Sequence, residues 1–357
     1  MPSNRENPLW QDIQAQGANL RQVIDHLYGA EYENLEAAVS FLKNDKPIVF
    51  IGMTSAAYLC HPAEHYLGSL GRLATVMQAS DALYSQLPAL HNANVVFNSR
   101  SGETAEVVKL ADALKAEGIP FLAMTNDPKS TLAQSADHVL WVNSRHDDLV
   151  SINIVTAMIV ATLILAAEAQ GQGATLRSDL DLLPDLMDQV VATAWQQADV
   201  LFEMFGKVNP IYFLHRGGSK GAANCARLVI EEVSRRPAIA MESGEFRQGP
   251  IEVVDENFGA MVYVLDGTMG WLNCQLAGDI RASKGQVYLI GTEHACDGKQ
   301  AISFETPNPG SIFQPVFELV PAQVLAYKLA EAQGLEPGNV RYISRVITTE
   351  TGLPGDA

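Results

Sequence analysis

Cysteine is scarce: Cys60, Cys225, Cys274 and Cys296 stand singly in 357 residues, with no C-x-x-C pair. That sparsity excludes a disulfide scaffold and a structural zinc site, and predicts reduced thiols serving mostly as core filler. Positive charge is also in short supply, with 24 Lys and Arg against 41 Asp and Glu, a formal net charge of -17. Proteins that track a phosphate backbone concentrate Lys and Arg, so nucleic acid is not an expected partner. A local anion site made of hydroxyls and backbone amides remains compatible with that charge.

Long apolar runs are missing too. The longest, 152–167, contains Asn153 and Thr156 and falls short of the roughly 20 residues that span a bilayer, so it reads as a buried helix. The start, Met1-Pro2-Ser3-Asn4-Arg5-Glu6, has no apolar segment behind its charge and does not read as a secretory signal. The expectation is a soluble cytoplasmic protein without a membrane partner. With 47% hydrophobic and 18% charged residues the composition is that of a globular protein. Its length calls for two domains of about 150 residues each.

What is present is an alternation of short β-branched runs with helical patterns, the signature of a parallel sheet covered by helices on both faces. Expected strands are Pro47 to Gly52, Leu73 to Gln78, Asn94 to Asn98, Pro120 to Thr125 and His138 to Val142. The helix expected over Thr104 to Lys115 places Val107, Val108, Ala111 and Leu114 on one face. A second series follows, with strands at Ile211 to His215, Met261 to Leu265 and Gln286 to Ile290, and helices over Gly221 to Arg235 and Met269 to Ala282. Pro321 to Gly334 reads as a last helix. The fold class is therefore α/β, two tandem doubly wound domains, each a parallel sheet flanked by helices. The expected divisions are N-terminal helices over 1–45, a first domain over 46–170, a helical connector over 171–205, a second domain over 206–340 and a tail over 341–357.

The densest chemical signal follows the third strand. Ser99-Arg100-Ser101-Gly102-Glu103-Thr104 leads from a strand into a helix, so three hydroxyls and several amides converge at the carboxyl edge of a parallel sheet, where open α/β sheets bind ligands. Hydroxyls and helix-start amides suit a phosphate dianion. The plainer reading is an N-terminal capping box without a ligand.

This loop and several other stretches resemble the double-SIS (sugar isomerase) family, which includes the isomerase half of glucosamine-6-phosphate synthase and the fructosamine-6-phosphate deglycases. The resemblance rests on Pro8-Leu9-Trp10-Gln11-Asp12-Ile13, Ile51-Gly52-Met53-Thr54-Ser55, the S-x-S-G-E-T loop Ser99 to Thr104, Asp147-Asp148-Leu149-Val150, the G-E-x-x-H-G-P-like Gly244 to Pro250, and Tyr342-Ile343-Ser344-Arg345-Val346. It implies that Ser99, Ser101 and Thr104, with Arg100 in the same loop, hold the phosphate of a phosphosugar. Ser55 would touch the sugar phosphate, and Val150 would line the sugar pocket through its backbone. It also implies a homodimer that takes residues for each site from both subunits, with no cofactor.

For the chemistry, the resemblance singles out Glu232, sixteen residues before Gln248, as the group that moves a proton between C1 and C2 of the sugar. The plainer reading makes Glu231 and Glu232 a solvated pair facing Arg235 and Arg236. Three positions depart from the synthase. Gln248 stands where it has histidine, and an amide does not exchange a proton near neutral pH. Arg345 stands where it has the lysine that forms an imine, and a guanidinium stays protonated. Val229 replaces a second active-site lysine.

His215, ending a strand, is a substitute proton donor on one reading and a strand-ending histidine on the other. His61 and His65 are four apart but lack a third ligand, so no metal is expected. Nothing precedes Met1 to supply a glutaminase domain, so the expectation is a phosphosugar isomerase or deglycase acting on a ketosamine or amino sugar 6-phosphate, without glutamine-dependent transamination. A non-catalytic sugar-phosphate sensor and an aldose-ketose isomerase of a hexose phosphate are the alternatives.

Overall fold

The computed structural model describes residues 7–147, 150–292, 296, 301–308, 310–344 and 346–349. The chain divides into two compact units. One comprises Gln16–Pro184 with the tail from Val340, the other the start of the chain through Ala15 with Asp185–Asn339. They are called here the first and second unit. The division falls at Pro184, inside the helix Gly173–Gln196.

In the first unit, strands β1 (Ile48–Gly52), β2 (Ala74–Gln78), β3 (Asn94–Ser99), β4 (Phe121–Thr125) and β5 (His138–Trp141) form one sheet in the order β2-β1-β3-β4-β5. Every pairing is parallel. Alternate residues Val49, Ile51, Val95, Phe97, Phe121 and Ala123 share a core with Val107, Leu110, Ala111 and Leu114 of the helix Ala105–Ala116. The expected face was nearly this one, with Leu110 buried and Val108 only half-buried. The apolar run 152–167 is the helix Asn153–Ala169, buried on all sides except at Glu168. A helix apolar all round needs such an enclosure. Its Thr162 hydroxyl reaches the Met158 carbonyl at 2.6 Å and the buried Asn98 amide oxygen at 3.3 Å, which ties it to β3. No helix among the described residues is long and apolar enough to cross a membrane.

The second unit repeats the plan with β6 (Ile211–His215), β7 (Ala238–Glu242), β8 (Gly259–Val264), β9 (Gln286–Gly291) and β10 (Phe304–Glu305). Their order, β10-β9-β8-β6-β7, is the first order rewritten, and again every pair is parallel. Leu214, Ala260, Val262, Val264 and Leu289 pack against Leu276, Ala277 and Ile280 of the helix Thr268–Ala282. The tandem read from element order is thus a tandem of equal topologies.

The reading of all four cysteines as reduced thiols is corrected here. Cys274 and Cys296 are joined in a disulfide, whereas Cys60 and Cys225 are free and buried. The pair is 22 residues apart, and both residues belong to the same apolar cluster on one face of the second sheet. That is a tertiary coincidence which sequence spacing does not announce.

Candidate active site

In a strand order of this kind the chain leaves β1 in one direction for β2 and returns in the other for β3, so the crevice between the ends of β1 and β3 is the place where open α/β sheets receive ligands. The register aligns Ile51 with Phe97, which brings the loops after Gly52 and after Ser99 side by side. Ser55 opens the short helix Ser55–Tyr58, preceded by Thr54 in a strained conformation with φ +49°. The Thr54 amide donates to Oε1 of Gln78 at 2.9 Å, which fixes that loop to the end of β2.

The Ser99–Thr104 loop is held by its own turns. The Gly102 amide donates to Ser99 Oγ at 3.1 Å, and the Glu103 amide to Ser101 Oγ at 3.2 Å. Gly102 has φ +63°, and a Cβ there would collide with the Ser130 side chain, so only glycine fits. Glu103 turns away and accepts from the Thr131 amide at 2.6 Å and its hydroxyl at 2.8 Å. The capping-box reading fails on two counts. Thr104 occupies the N-cap position of the helix Ala105–Ala116 but makes no side-chain cap bond, and Glu103 is engaged with Thr131. The first helical amide, of Ala105, donates to the Ile347 carbonyl of the tail at 3.1 Å.

Arg100 lies beside the same edge. Its Nη1 donates to Ser151 Oγ at 3.0 Å, and its carbonyl accepts from the Asn126 amide at 3.1 Å. Val150, the residue before Ser151, is buried. Of the neighbouring acidic stretch, Asp147 serves the scaffold. Its carboxylate accepts from the amides of Asn153 at 2.8 Å and Ile154 at 3.0 Å, and so caps the buried helix. Burial raises its pKa, and those hydrogen bonds oppose the rise. Asp148 and Leu149 lie outside the described residues.

Ser55, Ser99, Arg100, Ser101, Thr104 and Val150 therefore gather on one unit, whereas Glu232 and Gln248 belong to the other. The expected helix over Gly221 to Arg235 is an α-helix only over Ser219–Val229, and it widens into a π-turn over Ile230–Ser234 that ends at Arg235 with φ +58°. Such turns recur at functional sites. Glu232 sits inside this one and is half-buried. Its neighbour Glu231 takes Arg227 at 2.5 Å, four residues earlier. Arg235 and Arg236 give their guanidinium groups to backbone carbonyls, Arg235 to Asn339 and Arg236 to Gly206, both at about 3 Å.

Gln248 follows the helix Ser243–Arg247 and is exposed. Val229 is buried. Arg345 lies outside the described residues. His215 is buried at the end of β6. His61 directs Nδ1 to Glu64 at 2.6 Å, and burial lowers the pKa of His65. Sequence reasoning missed the ring of contacts around Arg216. Its guanidinium pairs with Glu242 at 2.9 Å and donates from Nε to Asn273 at 3.0 Å. The Arg216-Gly217-Gly218 turn after a strand was the available signal.

The fold and the loop geometry define an α/β protein with a ligand crevice at the switch point of a parallel sheet. The model for the SIS domain matches residues 41–167, which lie in the first unit. Glutamine–fructose-6-phosphate aminotransferase (isomerizing) of Bradyrhizobium diazoefficiens is 28% identical over 327 residues, 86% of this chain and 53% of that protein. The chain thus spans about half the length of such curated relatives. The C-terminal domain of glucosamine-fructose-6-phosphate aminotransferase from Francisella tularensis superposes with a TM-score of 0.79 at 19% identity, covering 92% of this chain and 97% of that one. Glucosamine-6-phosphate deaminase from Thermotoga maritima gives 0.79 at 18% identity, covering 95% and 99%. At these identities the two structures attest the fold.

Proposed function

We propose that this protein binds the phosphate of a phosphosugar with Ser55, Ser99, Arg100, Ser101 and Thr104, and acts as an isomerase or deglycase on a ketosamine or amino sugar 6-phosphate. The carrying observation is Thr104, an N-cap residue whose hydroxyl is not used for capping, in a hydroxyl-rich loop at the switch point of the sheet. The sequence likeness to enzymes named for fructose 6-phosphate supports a phosphorylated hexose as ligand. Val150 lines the sugar side.

In the proposed reaction the carboxylate of Glu232 takes the proton from one of the carbons C1 and C2 of the open-chain sugar, giving an enediol or enolamine, and returns it to the other. Gln248 orients a hydroxyl and does not exchange protons. The residue at 345, an arginine, forms no imine. The working protein is a homodimer in the cytoplasm on this reading, and the exposed Gln248 suits a residue shown to a second copy.

A second reading, a sensor that binds without turnover, is favoured by Gln248 and Val229, which by the resemblance stand where the synthase keeps proton-exchanging side chains. Incubation with a panel of 6-phosphosugars and fructosamine 6-phosphates, read by mass spectrometry for amine release and isomer formation, separates the two. An enzyme converts at least one member. A sensor shows a thermal shift and no product over hours.

A further inference from the structure

We infer that Arg216 is a positioning residue for the proposed reaction: it fixes the Gly244–Pro250 turn, and with it Gln248, to the end of the second sheet. The inference rests on the proposed function only for its kinetic arm. The register sets His215 opposite Glu242, so the residue after β6 meets the last residue of β7. From there Arg216 reaches two structural elements.

Nη1 pairs with Oε1 of Glu242 at 2.9 Å. Nε donates to Oδ1 of Asn273, on the helix after β8, at 3.0 Å. Asn273 is itself buried and donates from Nδ2 to the Tyr263 carbonyl at 2.6 Å, so this anchor has one orientation. Glu242 passes the constraint on: its other oxygen, Oε2, accepts the Glu245 amide at 2.7 Å and caps the helix Ser243–Arg247, after which Gln248, Gly249 and Pro250 follow.

Gly244 shows how closely the parts fit. A Cβ on it would lie 2.7 Å from Glu242 Oε2 and 3.2 Å from both terminal nitrogens of Arg216. The guanidinium fork serves Glu242 and Asn273 at once from one planar group, which a lysine ammonium does not reproduce at a fixed geometry. Arg216 is not placed against the sugar. It acts through Glu242 on where the Gln248 amide stands, and a displacement of about 1 Å at a positioning group costs on the order of a hundredfold in rate.

The test is R216M, with R216K as the conservative variant, in the full chain. Steady-state kinetics on the phosphosugar that the wild type converts are combined with peptide hydrogen exchange. R216M is expected to lower kcat by tenfold or more at an unchanged KM, because the phosphate loop lies on the other unit. It is also expected to speed exchange over 243–250 while leaving β8 and the helix Thr268–Ala282 as in the wild type. R216K recovers part of the rate.

An unchanged kcat, a KM that moves as far as kcat, or exchange rising equally across β8 overturns the inference. If the wild type converts nothing in the panel, the proposed reaction fails, and the exchange pattern alone decides the role of Arg216.

Discussion

At the switch point of the first sheet, Ser99 and Ser101 accept amides of their own turn, and the Thr104 side chain makes no cap bond. At the same place in the second sheet, the hydroxyl of Ser219, which opens the helix after β6, donates to Oε1 of Glu318 at 3.0 Å. Gln314 completes that arrangement, with Nε2 bonded to the Val264 carbonyl at the end of β8 and to Glu318, each at 3.2 Å. The two units have one topology, but in the second the hydroxyl that opens the helix after β6 is spent on a carboxyl of the same unit. Topology supplies the position, and the loop residues decide what occupies it.

Glu318 is fully buried, and that burial pushes its pKa up to about 8 against the hydrogen bonds from Ser219 and Gln314. At neutral pH it is therefore mostly the uncharged acid, an acceptable state for a carboxyl taken wholly out of water. In the proposed function the phosphate-holding hydroxyls belong to the first unit and Glu232 to the second.

The sharpest attempt to break that division of labour is E232Q. It is expected to lower kcat by about a hundredfold or more, the usual weight of a general base, with phosphosugar affinity retained by calorimetry. Loss of affinity with an unchanged rate would reverse the roles.

G102A strikes the anchoring side. A side chain there is strained at φ +63° and collides with Ser130, so a loss of roughly 1–3 kcal/mol in stability is expected, together with weakened phosphosugar binding. Denaturant melts and titration measure both. A neutral effect on each contradicts the account of the loop.

The remaining test concerns Glu318, at the switch point of the second sheet. Because the folded-state pKa of Glu318 lies above the ordinary value of 4.5, its contribution to stability is full below that value and lost as pH rises through about 8. The melting temperature of the wild type should fall relative to that of E318Q between pH 6 and 9, since the glutamine keeps acceptor and donor but does not titrate. Parallel curves for the two proteins exclude the buried acid.

Most strands were legible because they are short runs of Val, Ile, Leu and Phe between turn residues; Ile211–His215 has its expected bounds. β7 was not, since Ala-Ile-Ala-Met-Glu carries little β propensity and its residues after Ala238 are only half-buried. β10, two residues long, gives no periodicity to read. The helix after β6 was legible, but not its π-turn, because a widened turn leaves the apolar spacing almost unchanged.

Of the site, the loop and its hydroxyls were visible as a motif. The choice between ligand site and capping box required geometry, namely where Glu103 and Thr104 direct their side chains. The Arg216 network and the Cys274–Cys296 bond join residues far apart in sequence, through contacts that only the folded sheet creates.

The central claim is that the Ser99–Thr104 loop holds a phosphate group. Calorimetric titration of the wild type and of S101A/T104A, each with fructose 6-phosphate and with fructose, tests it most directly. The account predicts that the wild type binds only the phosphorylated sugar, and that the double variant, still folded, loses about tenfold or more of that affinity, on the order of 0.5–1.5 kcal/mol or above for each hydrogen bond removed. Equal affinity of the two proteins for the phosphosugar, or equal binding of the sugar with and without its phosphate, would contradict it.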